Sequence, residues 1–109
     1  MDRPYLAELL RRLRMSDPSA SATVDRDGRA TVLWRPEGRT EPVALTFTEQ
    51  DLAMTVRAGG EDCRDDLWPG SSIDQAGFSI LLVHLDEVVA TRVVTEPLRI
   101  TAQGLVWPT

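Results

Sequence analysis

Lysine and asparagine are absent from this sequence of 109 residues, and cysteine, histidine and tyrosine occur once each. All 12 basic side chains are arginine. Lys and Asn have AT-rich codons, so the gap reads first as the codon bias of a GC-rich bacterial genome. A demand for guanidinium groups, which form better planar pairs than ammonium groups, is the sharper but second reading. The single Cys63 excludes an internal disulfide and a multi-cysteine metal centre. No apolar run approaches the roughly 20 residues that span a bilayer; the most apolar stretch, 80–89, is broken by His84, Asp86 and Glu87. No secretory leader is visible, because the first residues are charged and already helical in pattern. These gaps point to a cytoplasmic protein without a membrane partner.

The machinery of several enzyme classes is missing too. No G-x-x-x-x-G-K sequence is present to cradle a phosphate, and Gly70-Ser71-Ser72 does not form a nucleophile elbow. Asp86 and Glu87 are adjacent on a helical pattern, so they point roughly 100° apart and share no proton. Cys63 lies among carboxylates, which disfavour the thiolate a nucleophile needs. Glu61, Asp62, Asp65 and Asp66 supply hard oxygen ligands, but their spacing lacks the alternating ligands, central Gly and closing Glu of an EF-hand. No metal and no cofactor is expected.

What is present is ordinary globular composition: 42% hydrophobic and 27% charged residues. The length suits one domain spanning 1–109, and no repeat, low-complexity tract or linker divides it. The net charge of −5 is uneven: about +2 over residues 1–14, about −2 over 15–58 and about −5 over 59–109. An acidic chain gains little from a phosphate backbone, so no nucleic acid is expected. The small basic cluster Arg11, Arg12 and Arg14 reads as a solvated helix face.

Residues 3–15 carry an apolar stripe, Leu6, Leu9, Leu10 and Leu13, at helical spacing, with Pro4 in the first turn and Glu8 four residues before Arg12. Residues 21–35 read as a β-hairpin. A two-residue turn would oppose Arg26 and Arg29. A three-residue turn with Gly28 left-handed opposes Asp25 and Arg29 instead. It also gathers Ala22, Val24, Ala30, Val32 and Trp34 on one face, so burial selects it. Val43, Leu45 and Phe47 alternate as a strand. Leu52, Met54 and Val56 also alternate, which predicts a further strand pairing Phe47 with Leu52, Leu45 with Met54 and Val43 with Val56. The rival is a short helix, because Thr48-x-x-Asp51 resembles a capping box and Gly59 would end it.

After the loop 59–72, Ser71 or Ser72 caps a long helix running to about Thr91. Its main stripe is Phe78, Leu81, Leu82, Leu85, Val88 and Val89; Ala76, Ile80 and Val83 make a second apolar stripe. Burial on two sides calls for a covering loop or a partner. Leu98, Ile100 and Ala102 alternate next, and Leu105-Val106-Trp107 closes the chain as a short strand after a turn at Gln103-Gly104. The expected fold is α+β: an N-terminal helix, an antiparallel four-stranded meander, a long second helix on the sheet and a short C-terminal β-hairpin. The expected core is Leu9, Leu10, Leu13, Val24, Val32, Leu45, Phe47, Met54, Phe78, Leu81, Leu85 and Ile100.

With no convergent set of reactive groups, the pattern argues against an enzyme. It favours a small acidic domain that binds a basic protein partner through Glu61, Asp62, Asp65, Asp66 and Trp68. Neutralisers of basic toxins and small secretion chaperones are physically of this kind. Trp68 is a residue type enriched at binding hot spots. The alternative is a small-molecule or enzymatic pocket at His84, which Glu87 would orient from one turn away. A third expectation is a homodimer whose interface includes Ile80 and Val83.

Overall fold

The computed structural model describes residues 3–62 and 73–106. In chain order it contains helix α1 (Pro4–Ser16), strands β1 (Ser21–Val24), β2 (Arg29–Trp34) and β3 (Val43–Thr48), helices α2 (Glu49–Asp62) and α3 (Ile73–Thr91), and strands β4 (Leu98–Thr101) and β5 (Gly104–Val106). The α+β expectation holds.

Helix α1 buries Leu6, Leu9 and Leu13, and Leu10 is half-buried beside them. Its N-cap residue, Arg3, offers no side-chain cap. The orphan N–H groups of the first turn are satisfied from elsewhere: Tyr5 and Leu6 donate to the two carboxylate oxygens of Glu49, at 2.7 and 3.1 Å. Glu49 is also the first residue of α2, where a carboxylate suits the positive end of the helix dipole. One side chain thus serves two helix N-termini. Glu49→Ala should cost about 1–2 kcal/mol, the range of a lost N-cap, measured by urea unfolding; an unchanged midpoint would refute the double role.

On the outer side of α1, Glu8 accepts from Arg11 at 2.7 Å and from Arg12 at 3.1 Å. The hydrogen bond from Arg11, assisted by Arg12, lowers the Glu8 carboxyl from 4.5 to about 2. A lowered folded-state value adds stability that is complete above about 4.5 and vanishes as the pH falls toward about 2. Surface pairs are screened, so the contribution is about 0.5 kcal/mol. Glu8→Gln should remove that part of the acid dependence in unfolding followed between these two pH values.

The first hairpin takes the three-residue register. Thr23 faces Thr31, Val24 faces Ala30, and Asp25 N–H donates to the Arg29 carbonyl at 3.0 Å. Gly28 has φ +85°, a left-handed conformation that side chains strain to adopt. The Asp25 carboxylate also accepts from the N–H groups of Asp27 and Arg29. Val24, placed in the core by pattern, is 38% exposed. It sits on the sheet's outermost strand, where nothing in the described residues covers it fully.

The sheet corrects the expected four-stranded antiparallel meander. It has five strands in the order β1-β2-β3-β4-β5, and β3 pairs with β4 in parallel. The C-terminal hairpin is therefore not a separate feature but the other edge of the same sheet. Ala102 lies in its turn with Gln103, and β5 begins at Gly104. Ala30, Val32, Trp34, Val43, Leu45, Phe47, Leu98 and Ile100 are buried on one face, which the helices cover.

Residues 49–58 are helix α2, not the strand that the alternation favoured. Thr48 Oγ1 accepts the Asp51 N–H at 3.1 Å, and Glu49 and Asp51 place charge in the first turn. Leu52 and Val56 are fully buried at i, i+4, while Met54 is 44% exposed. The proposed pairings of Phe47, Leu45 and Val43 with Leu52, Met54 and Val56 do not exist. The pattern was ambiguous because Leu52 and Val56 fit both periods. The capping chemistry decided it.

Helix α2 lies on β3, β4 and β5, and α3 packs mainly on α2. The two helices approach at glycines. A Cβ added to Gly77 would lie 1.7 Å from the Val56 carbonyl oxygen and 2.6 Å from its carbon. The Gly59 position faces the Gly77 Cα at 3.5 Å, an ordinary contact. Tyr5 joins all three helices: its hydroxyl donates to Asp74 and accepts from Arg57 Nε, each at 3.1 Å, and its ring stacks on Phe78. At the other end of α3, Arg39 donates to the carbonyls of Val89 and Arg92, serving the negative helix terminus.

Candidate functional site

The close approach of α2 and α3 leaves a concavity where the two helices meet the β4–β5 turn. Its volume is about 320 Å³, at the small end of the range for ligand sites. Met54, Thr55 and Ala58 contribute from α2, Gly77, Ile80, Leu81 and His84 from α3, and residues 102–105 from the hairpin. Polar and apolar surface line it in nearly equal share. Three polar side chains reach it: Thr55, His84 and Gln103.

The Thr55 hydroxyl is the one buried side-chain oxygen or nitrogen without a hydrogen-bond partner among the described residues. A threonine within a helix ordinarily bonds back to a carbonyl one turn earlier. An unsatisfied buried hydroxyl costs about 1–3 kcal/mol, so Thr55→Val, which keeps the shape, should be neutral or stabilise the fold by up to about 1 kcal/mol. Thermal unfolding reads this directly; a loss of more than about 1 kcal/mol would mean that the hydroxyl has a partner.

His84 stands on the cavity wall and is exposed. Glu87, one turn further along α3, is exposed and does not line the cavity. The two interface residues are close to this site. Ile80 is half-buried in the cavity wall, and Val83 is 59% exposed on the adjoining turn of α3. The acidic stretch is only partly in view. Glu61 is exposed in the last turn of α2, and Asp62 ends that helix. Asp65, Asp66 and Trp68 lie outside the described residues, as does Cys63. Among the described residues, no cluster of His, Cys, Asp and Glu could hold a metal ion, and no helix is long and apolar enough to cross a membrane.

Met54, Thr55 and Gln103 were not singled out as site residues by sequence. The signal existed: as a helix, residues 54, 55 and 58 share one side, at i, i+1 and i+4. Reading this segment as a strand scattered them over two sheet faces. Gln103 had no sequence signal beyond its place in a turn.

A second concavity of about 300 Å³ lies between α1, the end of β2 and α3, with Arg12, Trp34, Arg39 and Asp86 in its wall. Its cations are engaged in structural roles: Arg12 with Glu8 and the Phe78 ring, and Arg39 with the α3 carbonyls. It therefore offers less for recognition than the cavity at His84.

Compared with protein-family models, curated proteins and solved structures, the chain matches none.

Proposed function

We propose that this chain is a non-catalytic protein-binding domain whose acidic, partly apolar helix surface meets a basic partner. The observation that carries this reading is the outer side of α3 and its neighbourhood. Val83 and Met54 expose large apolar surface. Asp74, Asp86 and Glu87 are exposed on the same helix, and no arginine lies within it. Exposed apolar side chains, with carboxylates exposed elsewhere on the same helix, suit a complementary protein surface. The net charge of −5 acts in the same direction by steering a basic partner toward encounter. Glu61, exposed in the last turn of α2, and the acidic sequence after it, Asp62, Asp65 and Asp66 with Trp68, are further candidates for contact with that partner. A neutraliser of a basic toxin and a secretion chaperone both fit this description.

The test is charge reversal. Replacing Asp86 and Glu87, or Asp62, Asp65 and Asp66, by arginine should slow association with a captured partner and flatten its salt dependence. Association rates unchanged at low salt would end this reading. Self-association through Ile80 and Val83 predicts a dimer by light scattering at micromolar concentration; a strict monomer would exclude it.

A second reading has its own observation, the concavity that brings Thr55, His84 and Gln103 together. A small polar ligand there should shift the amide resonances of these three residues and raise the melting temperature. Shifts confined to the outer side of α3 would exclude it.

A further inference from the structure

We propose that the concavity at His84 is a binding site for an uncharged, planar heteroaromatic ring the size of a nucleobase or nicotinamide. This deepens the small-ligand reading of that cavity and rests on it.

Size is the first constraint. The space of about 320 Å³ holds on the order of ten non-hydrogen atoms, at about 30 Å³ for each water-sized group. A single ring or two fused rings meet that limit. A peptide or a dinucleotide does not.

Charge is the second constraint. No arginine and no carboxylate lines the cavity, and His84 is the one titratable side chain in its wall. A phosphate or ammonium group moved there from water would find no permanent counter-charge. The occupant is therefore neutral.

The lining side chains then select a flat, hydrogen-bonding molecule. Met54 stands on the α2 wall and His84 on the α3 wall, while Gly59 and Gly77 add no side chain between the helices. An aromatic ring offers the imidazole a stacking face and the thioether a sulfur–aromatic contact. Gln103 closes the third side from the β4–β5 turn. Its Oε1 accepts from the Thr101 hydroxyl at 3.3 Å, which orients the amide, and its amide nitrogen has no partner among the described residues. A primary amide sets a donor beside an acceptor with a lone pair to spare, the pattern that pairs twice with the edge of a base or a carboxamide. Thr55 adds a buried hydroxyl without a partner; one rotamer step about χ1 turns it toward a polar ring atom. A sugar of the same size carries more hydroxyls than these side chains can satisfy.

The test titrates adenine, uracil and nicotinamide into the isotope-labelled full chain, with glucose, benzoate and adenosine monophosphate as comparisons. At least one of the three neutral rings should shift the amides of residues 54, 55, 84 and 103 saturably. Its dissociation constant should lie below about 1 mM, the value for about ten atoms of ordinary ligand efficiency. Gln103→Leu, at an exposed turn position, should weaken that ring about tenfold, and Thr55→Val about fivefold, neither lowering the melting temperature. Adenosine monophosphate should bind no more tightly than adenine. Three rings without saturable shifts, shifts centred away from the cavity, or indifference to Gln103→Leu would overturn the proposal. So would a nucleotide bound tenfold more tightly than its base. Glucose or benzoate saturating the cavity where the rings do not would overturn the ring class and leave the small-ligand reading intact.

Discussion

Gly77→Ala should lower stability by about 3 kcal/mol, at the top of the range for overpacking. In an exposed helix the same change would stabilise by about 1 kcal/mol, because alanine loses less backbone entropy. Here the added methyl would sit 1.7 Å from the Val56 carbonyl oxygen. That neighbour is backbone within a helix, so it cannot rotate away. Relief requires α2 and α3 to separate, which uncovers Val56, Phe78 and Leu81, all buried in the same core. Gly59→Ala is the matched control. Its methyl would meet Gly77 and Ile80 at 3.5–3.6 Å, ordinary contact distances, so it should be neutral or stabilising by up to about 1 kcal/mol. Urea denaturation of the two variants reads the difference, and equal midpoints would contradict the close approach. Gly77→Ala should also disturb the cavity, because Gly59, Gly77 and Ile80 all line it.

The second large effect separates helix from strand at residues 49–58. Leu52 is fully buried against the core, so Leu52→Ala should cost about 2–5 kcal/mol. Met54 is 44% exposed at the cavity mouth, and Met54→Ala should cost no more than about 0.5 kcal/mol. A hairpin of β3 with this segment would bury Met54 against Leu45 and make the two substitutions equally damaging. The ratio of the two effects therefore decides the local fold without a structure determination.

The sequence was legible where one physical rule ruled alone. The α1 stripe, the Asp25–Arg29 register and the main stripe of α3 each followed from burial, and each is found. It was illegible where two periods fit the same residues. Leu52 and Val56 are two turns of a strand repeat apart and also one helical turn apart, so apolar spacing alone could not choose. The Thr48 cap and the acidic first turn were the better evidence. Parallel pairing of β3 with β4 left no local trace, because the two strands are joined only through both intervening helices. Glu49 was invisible as a cap for α1, since its partners lie more than 40 residues away. The same holds for the site. His84 could be named from its residue type, but the cavity arises from three elements meeting. Glu87 was paired with it on helical spacing alone; it is exposed one turn further along α3 and outside the cavity lining.

Surface presentation is the centre of this account, and a photoreactive residue at position 83 tests it most directly. Val83 projects from α3 beside the cavity, whereas Val93 is 84% exposed just beyond the end of that helix. Crosslinking in the cell of origin should give one discrete adduct with a basic protein from position 83 and none from position 93. An adduct with a second copy of the chain, the same products from both positions, or no adduct from position 83 would contradict it.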